Sequence, residues 1–324
     1  MNLDCLTCRR FGVEVEILSF DGIKKSINYP PAGATYVANM ISKLLDVRVE
    51  VQQYSSNHNN DRWIVKPDSS CGMEISSPIL KGKLGLSWIV KVVDAIKNDS
   101  NIKVDDNCSL HIHVNISDLS TEQIGSVIAN WMKCEPVFMD AMKPKRKSNK
   151  YCQFIGQSSW LTSYEKINPT YLIKAIGDYK YYSLSTYHYV KKNRDTLEFR
   201  IMCDEACKDP FTLKNWIKLI LHFVDVTSNL PFPSNFLSDN VYESFRWLNP
   251  KEVFELLNFD KNISFGLKQV KDWFLLSLFF NSYCDKIGMW SPSSRSVSID
   301  QIKDLFVNNS FILDANLFSE RYDV

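Results

Sequence analysis

The chain has 324 residues, of which 45% are hydrophobic and 23% charged, an ordinary globular composition that excludes an intrinsically disordered protein. Its 38 basic and 37 acidic side chains leave a net charge of +1, so no whole-molecule field attracts nucleic acid or an anionic membrane. The nine cysteines are an odd number, residues 1–10 lack the apolar core of a signal peptide, and no apolar run is long enough to cross a membrane. These features predict a protein of the reducing cytoplasm.

The predicted elements mix short strands with helices through residue 205 and are helical beyond it. Alternating apolar and polar residues predict at least five strands, at residues 11–17, 63–65, 73–76, 110–115 and 196–202. Helical spacing predicts helices at residues 35–45, 86–97, 121–132, 213–226, 250–257, 267–280 and 299–307. Strands followed by helices, without strict β-α-β alternation, predict an α+β fold with an antiparallel sheet and a helical C-terminal region.

The first predicted strand contains two glutamates, Glu14 and Glu16. Residues two apart on a strand leave the same face about 7 Å apart, a spacing that suits two neighbouring cations. The alternative is a strand with its valines in the core and both glutamates in solvent.

Two histidines, His111 and His113, share the same spacing, and Asn115 follows on that face. The pair is unusual in a chain with five histidines. Imidazole is a typical ligand of zinc, iron or copper, so the pair could bind a transition metal or contact phosphate. The alternative is two hydrogen-bonded, half-buried structural histidines.

Further charged residues accompany two other predicted strands. Glu198 and Arg200 lie on one face of the strand that follows Arg194, where they could pair with each other or hold a metal ion beside a phosphoryl group. Asp68 lies in a turn after Lys66, and Glu74 lies on the strand after that turn. Acidic residues are common in such turns without any function.

Two further patterns are open to more than one interpretation. Residues 143–150 hold five positive charges in eight positions, which indicates a solvated loop or a local anion-binding site. Cys5 and Cys8 form half of a zinc knuckle that Cys203 and Cys207 could complete, but the second spacing is wrong for the motif, and reduced thiols are the default interpretation.

The order of these motifs is more informative than any one of them. Read along the chain, residues 11–16, 63–70, 72–80, 110–115, 151–152 and 194–200 resemble the amidoligase family of the carboxylate-amine ligase superfamily, which includes glutamine synthetase and glutamate-cysteine ligase. The resemblance covers about residues 9–226. It implies a catalytic domain at residues 1–226 and leaves the last hundred residues unassigned. From their helical pattern we expect residues 227–324 to form a helical region packed on the same fold.

The resemblance also implies roles for individual residues. The sheet would be curved and antiparallel, with ATP and two or three Mg²⁺ ions on its concave face. Glu14, Glu16, Glu74, His111 and Glu198 resemble the metal ligands. His113, Asn115, Arg146, Arg194 and Lys66 resemble the nucleotide- and phosphate-binding set. Arg200 resembles the catalytic arginine at the γ-phosphate and acyl phosphate, and Glu74 or Asp68 the group that receives the amine.

The activity implied is ATP-dependent amide or peptide bond formation through an acyl phosphate, with release of ADP and phosphate. The carboxylate and amine substrates could be a peptide, a protein side chain, a cell-wall peptide or small molecules, and no nucleic acid or membrane partner is expected. Two alternatives are a guanidino-type phosphotransferase and a non-catalytic protein that binds nucleotide or another anion. After Arg200 the chain departs from the family pattern, because two acidic residues and two cysteines replace a small turn.

Overall fold

The structure is a computed structural model that describes residues 9–21, 31–53, 61–156, 158, 167–233, 236, 247–259, 270, 271, 274, 277 and 278. Within this part of the chain, the strands form a seven-stranded sheet of order β2-β3-β4-β1-β5-β7-β6. They are β1 (Phe11–Leu18), β2 (Val49–Val51), β3 (Trp63–Asp68), β4 (Gly72–Ser76), β5 (Leu110–Asn115), β6 (Leu184–Ser185) and β7 (Thr196–Phe199).

The sheet is mixed rather than purely antiparallel. Five of its pairings are antiparallel, but β2 pairs with β3 in parallel. The difference arises at the edge, where β2 has only three residues and follows a helix instead of a hairpin turn. The α+β class is therefore confirmed, and the expectation of an antiparallel sheet holds from β3 to β6.

Helices flank this sheet and continue after its last strand. They are α1 (Ala34–Leu45), α2 (Gly82–Asn98), α3 (Thr121–Asp140), α4 (Pro144–Lys147), α5 (Pro169–Gly177), α6 (Tyr187–Lys192), α7 (Glu205–Lys208), α8 (Pro210–Thr227) and α9 (Pro250–Leu256). Helix α3 begins at the predicted residue because Ser120 and Gln123 form a capping box. No helix among the described residues is both long and apolar enough to cross a membrane.

The strands separate apolar from polar side chains by alternation. Val13, Val15 and Ile17 of β1 are at most 1% exposed and belong to the main core, as do Ile75 of β4 and Ile112 of β5. Apolar residues of α1, α2, α3 and α8 complete that core. Because successive strand residues point to opposite faces, the acidic and histidine residues between these positions lie on the other face.

The core contains a group of packed aromatic rings. Trp131 of α3 stacks on Phe138 with ring centroids 4.7 Å apart and meets Phe199 of β7 edge-on at 4.9 Å. Phe274 lies 5.4 Å from Phe138, so a residue of the C-terminal third joins the same cluster. Helix α9 also packs there, and Leu248 donates a backbone hydrogen bond to Lys133 of α3. The predicted helices at 267–280 and 299–307 lie mostly or wholly outside the described residues, as do Cys5 and Cys8.

A buried glutamate ties α3 to the loop that follows α4. Glu135 is fully buried and accepts hydrogen bonds from the Ile155 amide at 2.9 Å, the Gly156 amide at 3.0 Å and the Ser183 hydroxyl. Burial raises the pKa of Glu135 to about 7, against the lowering effect of these hydrogen bonds. The side chain therefore fixes the chain just after Tyr151 and Cys152.

We expect Glu135→Ala to lower the free energy of unfolding by about 2–6 kcal/mol, because the buried Ile155 amide and the partly buried Gly156 amide lose their acceptor at about 1–3 kcal/mol each. Urea denaturation of the full chain measures the change. Glu122→Ala, at an exposed position in the first turn of the same helix, should cost less than about 1 kcal/mol. Equal stabilities of the two variants would show that the loop is held by other contacts.

Candidate active site

Strand register collects the polar side chains of five neighbouring strands on one face. In β1, Glu14 lies opposite His111 of β5, and Glu16 lies opposite Glu74 of β4. The row continues on both sides, because Lys66 of β3 lies opposite Glu74, and Glu198 of β7 lies opposite His113. We call this set the polar face: Glu14, Glu16, Lys66, Asp68, Glu74, His111, His113, Glu198 and Arg200.

The turn between β3 and β4 positions the acidic residues on either side of it. Asp68 accepts hydrogen bonds from the amides of Ser70 at 2.7 Å and Cys71 at 3.3 Å, an Asx turn that closes the loop. Gly72 follows with a φ of 120°, a backbone conformation that residues with a side chain rarely adopt. An added Cβ would also lie 2.9 Å from the Ser19 amide.

Glu14 is the central acid of the polar face. Its Oε2 accepts a hydrogen bond from Nδ1 of His111 at 3.1 Å, and its Oε1 lies 3.4 Å from Nε2 of His113. Burial alone would raise the pKa of Glu14, but the charges of His113 and Lys66 and the hydrogen bond from His111 lower it well below its usual value. The carboxylate is therefore ionised at neutral pH.

Glu16 lies deeper than Glu14 and is 3% exposed. Its Oε2 accepts hydrogen bonds from the amide and the hydroxyl of Ser109, each at 2.8 Å. Burial, followed by the charge of Asp68, raises the pKa of Glu16 to about 8. The alternative of two solvated glutamates is therefore wrong, because helices cover one face of β1 and neighbouring polar groups enclose the other.

We expect the raised pKa of Glu16 to make stability depend on pH. A carboxyl group whose pKa is higher in the folded state contributes most to stability below its unfolded pKa, and this contribution is lost as pH rises through the folded value. Glu16→Gln should thus resemble the wild type near pH 5 and exceed its unfolding free energy by about 2–4 kcal/mol above pH 8. Urea denaturation in a chelator across this range tests the expectation, and parallel pH profiles would contradict it.

Glu74 is paired with the only lysine of the polar face. Nζ of Lys66 lies 2.8 Å from Oε1 of Glu74 and 4.0 Å from Oε1 of Glu14, and Ser76 donates a hydrogen bond to Glu74 at 2.7 Å. Burial and the charge of Glu14 nevertheless raise the pKa of Glu74 to about 7. A group with this pKa can gain and lose a proton near neutral pH.

Glu198 and Arg200 form an ion pair at the end of β7. Arg200 also donates from Nε to the carbonyl of Tyr151 at 3.3 Å, and its guanidinium carbon lies 5.8 Å from the ring centre of Tyr181. Burial would raise the pKa of Glu198, but Arg200 and the nearby histidines lower it to about 2. The pair thus fixes opposite charges beside His111, whose Nδ1 lies 3.6 Å from Oε1 of Glu198.

A cleft opens at one end of the polar face. It encloses about 290 Å³ and is lined by Glu14, His113, Asn115 and Arg194 among others. Asn115 holds one wall through hydrogen bonds with the Asp195 carbonyl at 3.3 Å and the Ser117 hydroxyl at 2.9 Å. The predicted nucleotide-binding residues His113, Asn115 and Arg194 therefore line one opening.

The basic segment at residues 143–150 contacts other parts of the protein instead of forming a free loop. Arg146 is 5% exposed and donates from Nε to the Ile201 carbonyl at 3.0 Å and from Nη2 to the Arg200 carbonyl. Lys143 pairs with Asp204 at 3.0 Å, and Lys145 pairs with Asp106 at 2.6 Å. Arg146 thus supports the backbone that carries Arg200, and its charge lowers the pKa of Glu16, whose net shift is upward because of burial.

One histidine on this face is absent from the sequence motifs. His188 of α6 places Nε2 3.4 Å from Oε2 of Glu198, and its ring meets that of His113 edge-on at 5.1 Å. Burial, together with the charge of His113, lowers the pKa of His188 to about 4 against the opposing effect of Glu198. Its position depends on the packing of a six-residue helix, so neither strand alternation nor motif order could indicate it.

The polar face has the donor set that divalent cations require. Five carboxyl groups, at Glu14, Glu16, Asp68, Glu74 and Glu198, lie there with two basic side chains, Lys66 and Arg200. Three groups of side chains each bring potential ligand atoms within 4.8 Å of one another: Glu14, His111 and Glu198; Glu16, Asp68 and Cys71; and His113, His188 and Glu198. The first two groups, each of which contains two carboxylates, therefore fit bound Mg²⁺ or similar ions, whereas the third contains two imidazoles and one carboxylate.

Of the comparisons with known proteins, the family comparison agrees with the resemblance that the order of motifs indicates. A family model described as "Putative amidoligase enzyme" matches residues 7–224. No curated protein matches the sequence. Among solved structures, a bifunctional glutathione synthetase from Pasteurella multocida is similar at 9% identity and a TM-score of 0.40, covering 94% of this chain and 51% of that chain. The chain thus spans about half the length of that protein, and a likeness at this TM-score does not establish a shared fold.

Proposed function

The chain belongs to the amidoligase enzyme family, and from this premise we propose that it is an ATP- and Mg²⁺-dependent carboxylate-amine ligase. The observation that supports this reaction best is the polar face, where four buried or half-buried glutamates meet two histidines and an arginine. Such a face offers the negative charge of Glu14 and Glu198 for cations and the positive charge of Arg200 for phosphate within one site.

The proposed reaction has two steps. The substrate carboxylate first attacks the γ-phosphate of ATP, which forms an acyl phosphate and releases ADP. The amine then attacks the acyl carbon, phosphate leaves, and the nitrogen gives up a proton. Activation is needed because a carboxylate is a poor electrophile in water, and both steps bring anionic oxygens close together.

The side chains divide these tasks by charge. Arg200, held by Glu198 and the Tyr151 carbonyl, would stabilise negative charge on the transferred phosphoryl group. Glu74 would accept the proton of the amine, since its pKa of about 7 suits a base at neutral pH, and Asp68 lies on the neighbouring strand. His113, Asn115 and Arg194 line the cleft proposed for the nucleotide. Lys66, whose Nζ lies 4.0 Å from Glu14 of that lining, and Arg146 would add positive charge to the site.

Glu14, Glu16, Glu74, His111 and Glu198 would hold the divalent cations. Cations bound there would offset the negative charge of the phosphate oxygens. Arg146 would not contact phosphate directly as predicted, because two of its donor nitrogens bond to backbone carbonyls. It would hold the segment that carries Arg200 and supply charge through space.

The proposal also covers the type of fold, the extent of the catalytic domain and the cellular compartment. We assign the sheet to the glutamine synthetase and glutamate-cysteine ligase type, with residues 1–226 as the catalytic domain. The family match over residues 7–224 supports this division. The contacts of Leu248 and Phe274 with α3 support packing of the C-terminal region, residues 227–324, on the same fold. Carboxylate and amine substrates would enter from the polar face. We place the reaction in the cytoplasm, since the six described cysteines are buried free thiols.

Mass spectrometry of a metabolite and peptide extract tests this function. The extract is incubated with ATP, Mg²⁺ and either the wild-type chain or Glu198→Gln. We expect a new amide whose mass equals the sum of two substrates less one water, formed only by the wild type. A stable phosphorylated product would instead indicate a phosphotransferase. Nucleotide binding without any new product would indicate the non-catalytic alternative.

A further inference from the structure

The geometry points to a transition-metal site formed by His113, His188 and Glu198, and we propose that it binds an ion such as Zn²⁺, Mn²⁺ or Co²⁺ in preference to Mg²⁺. One ring nitrogen from each histidine and a carboxylate oxygen lie within 4.8 Å of one another. The inference rests on the proposed function only for the role of the ion in turnover, and not for its binding.

Two histidines and one carboxylate select the class of ion. Mg²⁺ prefers oxygen ligands, whereas imidazole suits zinc, iron, copper and nickel, and a set of two histidines with one carboxylate is a recurrent transition-metal site. A phosphate group is the less favoured occupant, because the Glu198 carboxylate lies among the proposed ligands and would repel it. This set also differs from the group of Glu14, His111 and Glu198, which contains only one histidine.

The two oxygens of Glu198 have separate partners, which leaves one of them facing the histidines. Oε1 pairs with Arg200 and lies 3.6 Å from His111, while Oε2 lies 3.4 Å from Nε2 of His188. An ion bound through Oε2 would therefore leave the ion pair with Arg200 intact. The same carboxylate could contribute to both metal groups through different oxygens.

Two buried nitrogen atoms in this cluster also indicate a ligand. Among the described residues, Nε2 of His113 and Nδ1 of His188 are buried and make no hydrogen bond, although Nε2 of His113 lies 3.4 Å from Oε1 of Glu14. A buried polar atom left without a partner costs about 1–3 kcal/mol, so native proteins rarely retain several in one place. A metal ion bound by both rings would give each of them a ligand bond.

The backbone around His188 is fixed before any ion binds. The carbonyl of His188 accepts a hydrogen bond from the Arg194 amide at 3.0 Å, which closes α6 at its C-terminal end. At the other end, the buried hydroxyl of Thr186 donates to the Ile173 carbonyl of α5 at 2.7 Å. His188 is therefore presented to the polar face by a segment anchored at both ends.

Cobalt binding tests the site without nucleotide or turnover. The metal-free full chain is titrated with Co²⁺ in excess Mg²⁺, and the visible absorption of the ion is followed. We expect one equivalent of Co²⁺ that Mg²⁺ does not displace. His188→Gln and His188→Ala should weaken its binding at least about tenfold, since even loss of a group that supports a ligand costs that much. Tyr187→Phe, which keeps the ring beside His188, should bind like the wild type.

Absence of Mg²⁺-resistant Co²⁺ binding in the wild type would overturn the inference, as would unchanged binding in both folded His188 variants. Thermal melting without metal establishes that the variants are folded. If the variants are not folded, X-ray absorption of the wild-type Co²⁺ complex tests the site instead. We expect two imidazole ligands and no sulfur ligand, and fewer than two imidazoles would contradict the proposed site. Formation of ADP with Mg²⁺ alone, together with no Co²⁺ site, would remove this inference and leave the ligase proposal standing.

Discussion

Glu198→Gln is expected to reduce the rate of ADP formation about 10³-fold or more. The carboxylate contacts Arg200, lies 3.6 Å from His111 and 3.4 Å from His188, and belongs to two of the three candidate metal groups. Glutamine keeps the shape of the side chain but removes the charge that both the arginine and bound cations require. Loss of a single fixed charge-stabilising group alone typically costs 10²–10³ in turnover.

The rate is measured as initial ADP release in the extract that supplies the substrates. Glu122→Gln, an exposed change in the first turn of α3, is the matched control and should retain the wild-type rate. Circular dichroism must show that Glu198→Gln is folded, because removal of one partner of a buried ion pair costs about 3–5 kcal/mol. A folded Glu198→Gln protein with more than a tenth of the wild-type rate would refute its proposed role.

Arg200→Lys should lower turnover about 10²–10³-fold although it retains a positive charge. The guanidinium reaches Glu198 with one nitrogen and the Tyr151 carbonyl with another, and it lies against the Tyr181 ring. A lysine ammonium is a compact point charge that lacks this planar fork and cannot make the three contacts together. The remaining charge would therefore lie in the wrong place for the transferred phosphoryl group.

Arg62→Lys is a suitable control, because Arg62 pairs with Asp61 and Glu50 away from the polar face. Its turnover should match the wild type. The Arg200→Lys variant should lose kcat with little change in the affinity for Co²⁺, since the oxygen of Glu198 that faces His188 is not the one paired with Arg200. Wild-type kcat for Arg200→Lys would mean that any positive charge at this position suffices.

The sequence alone predicted which side chains share a face of the sheet, because alternation along a strand determines this. The pattern of β1 predicted that Glu14 and Glu16 share a face, and that of β5 predicted the same for His111 and His113. These four side chains lie near Glu198 because β1, β5 and β7 are neighbours in the sheet. That order depends on long-range pairing, so only the resemblance to a family could supply it.

Other features depend on packing that no local pattern encodes. Strands β2 and β6 have three and two residues, too few to show alternation. Helix α3 continues to Asp140 past Pro136, a residue that normally ends or kinks a helix, because its last turns are buried against the aromatic core. The predicted helix ended at residue 132, because the sequence does not show that the following turns pack against the aromatic core.

Electrostatic detail was the least predictable property of the site. A net charge of +1 gave no sign that five carboxylates would meet on one buried face. Burial raises the pKa of Glu16 to about 8, whereas the charges around Glu198 overcome burial and lower its pKa to about 2. Identical side chains therefore acquire different proton affinities from their neighbours, which become known only once the fold is formed.

Phosphorus-31 NMR of the nucleotide products tests the central claim most directly. The wild-type chain is incubated with ATP, Mg²⁺ and the substrate-containing extract, beside Glu198→Gln. Activation through an acyl phosphate predicts equal amounts of ADP and inorganic phosphate, formed by the wild type, dependent on the extract and absent from the variant. Formation of AMP and pyrophosphate, or of ADP at the same rate in both proteins, would contradict the proposed reaction.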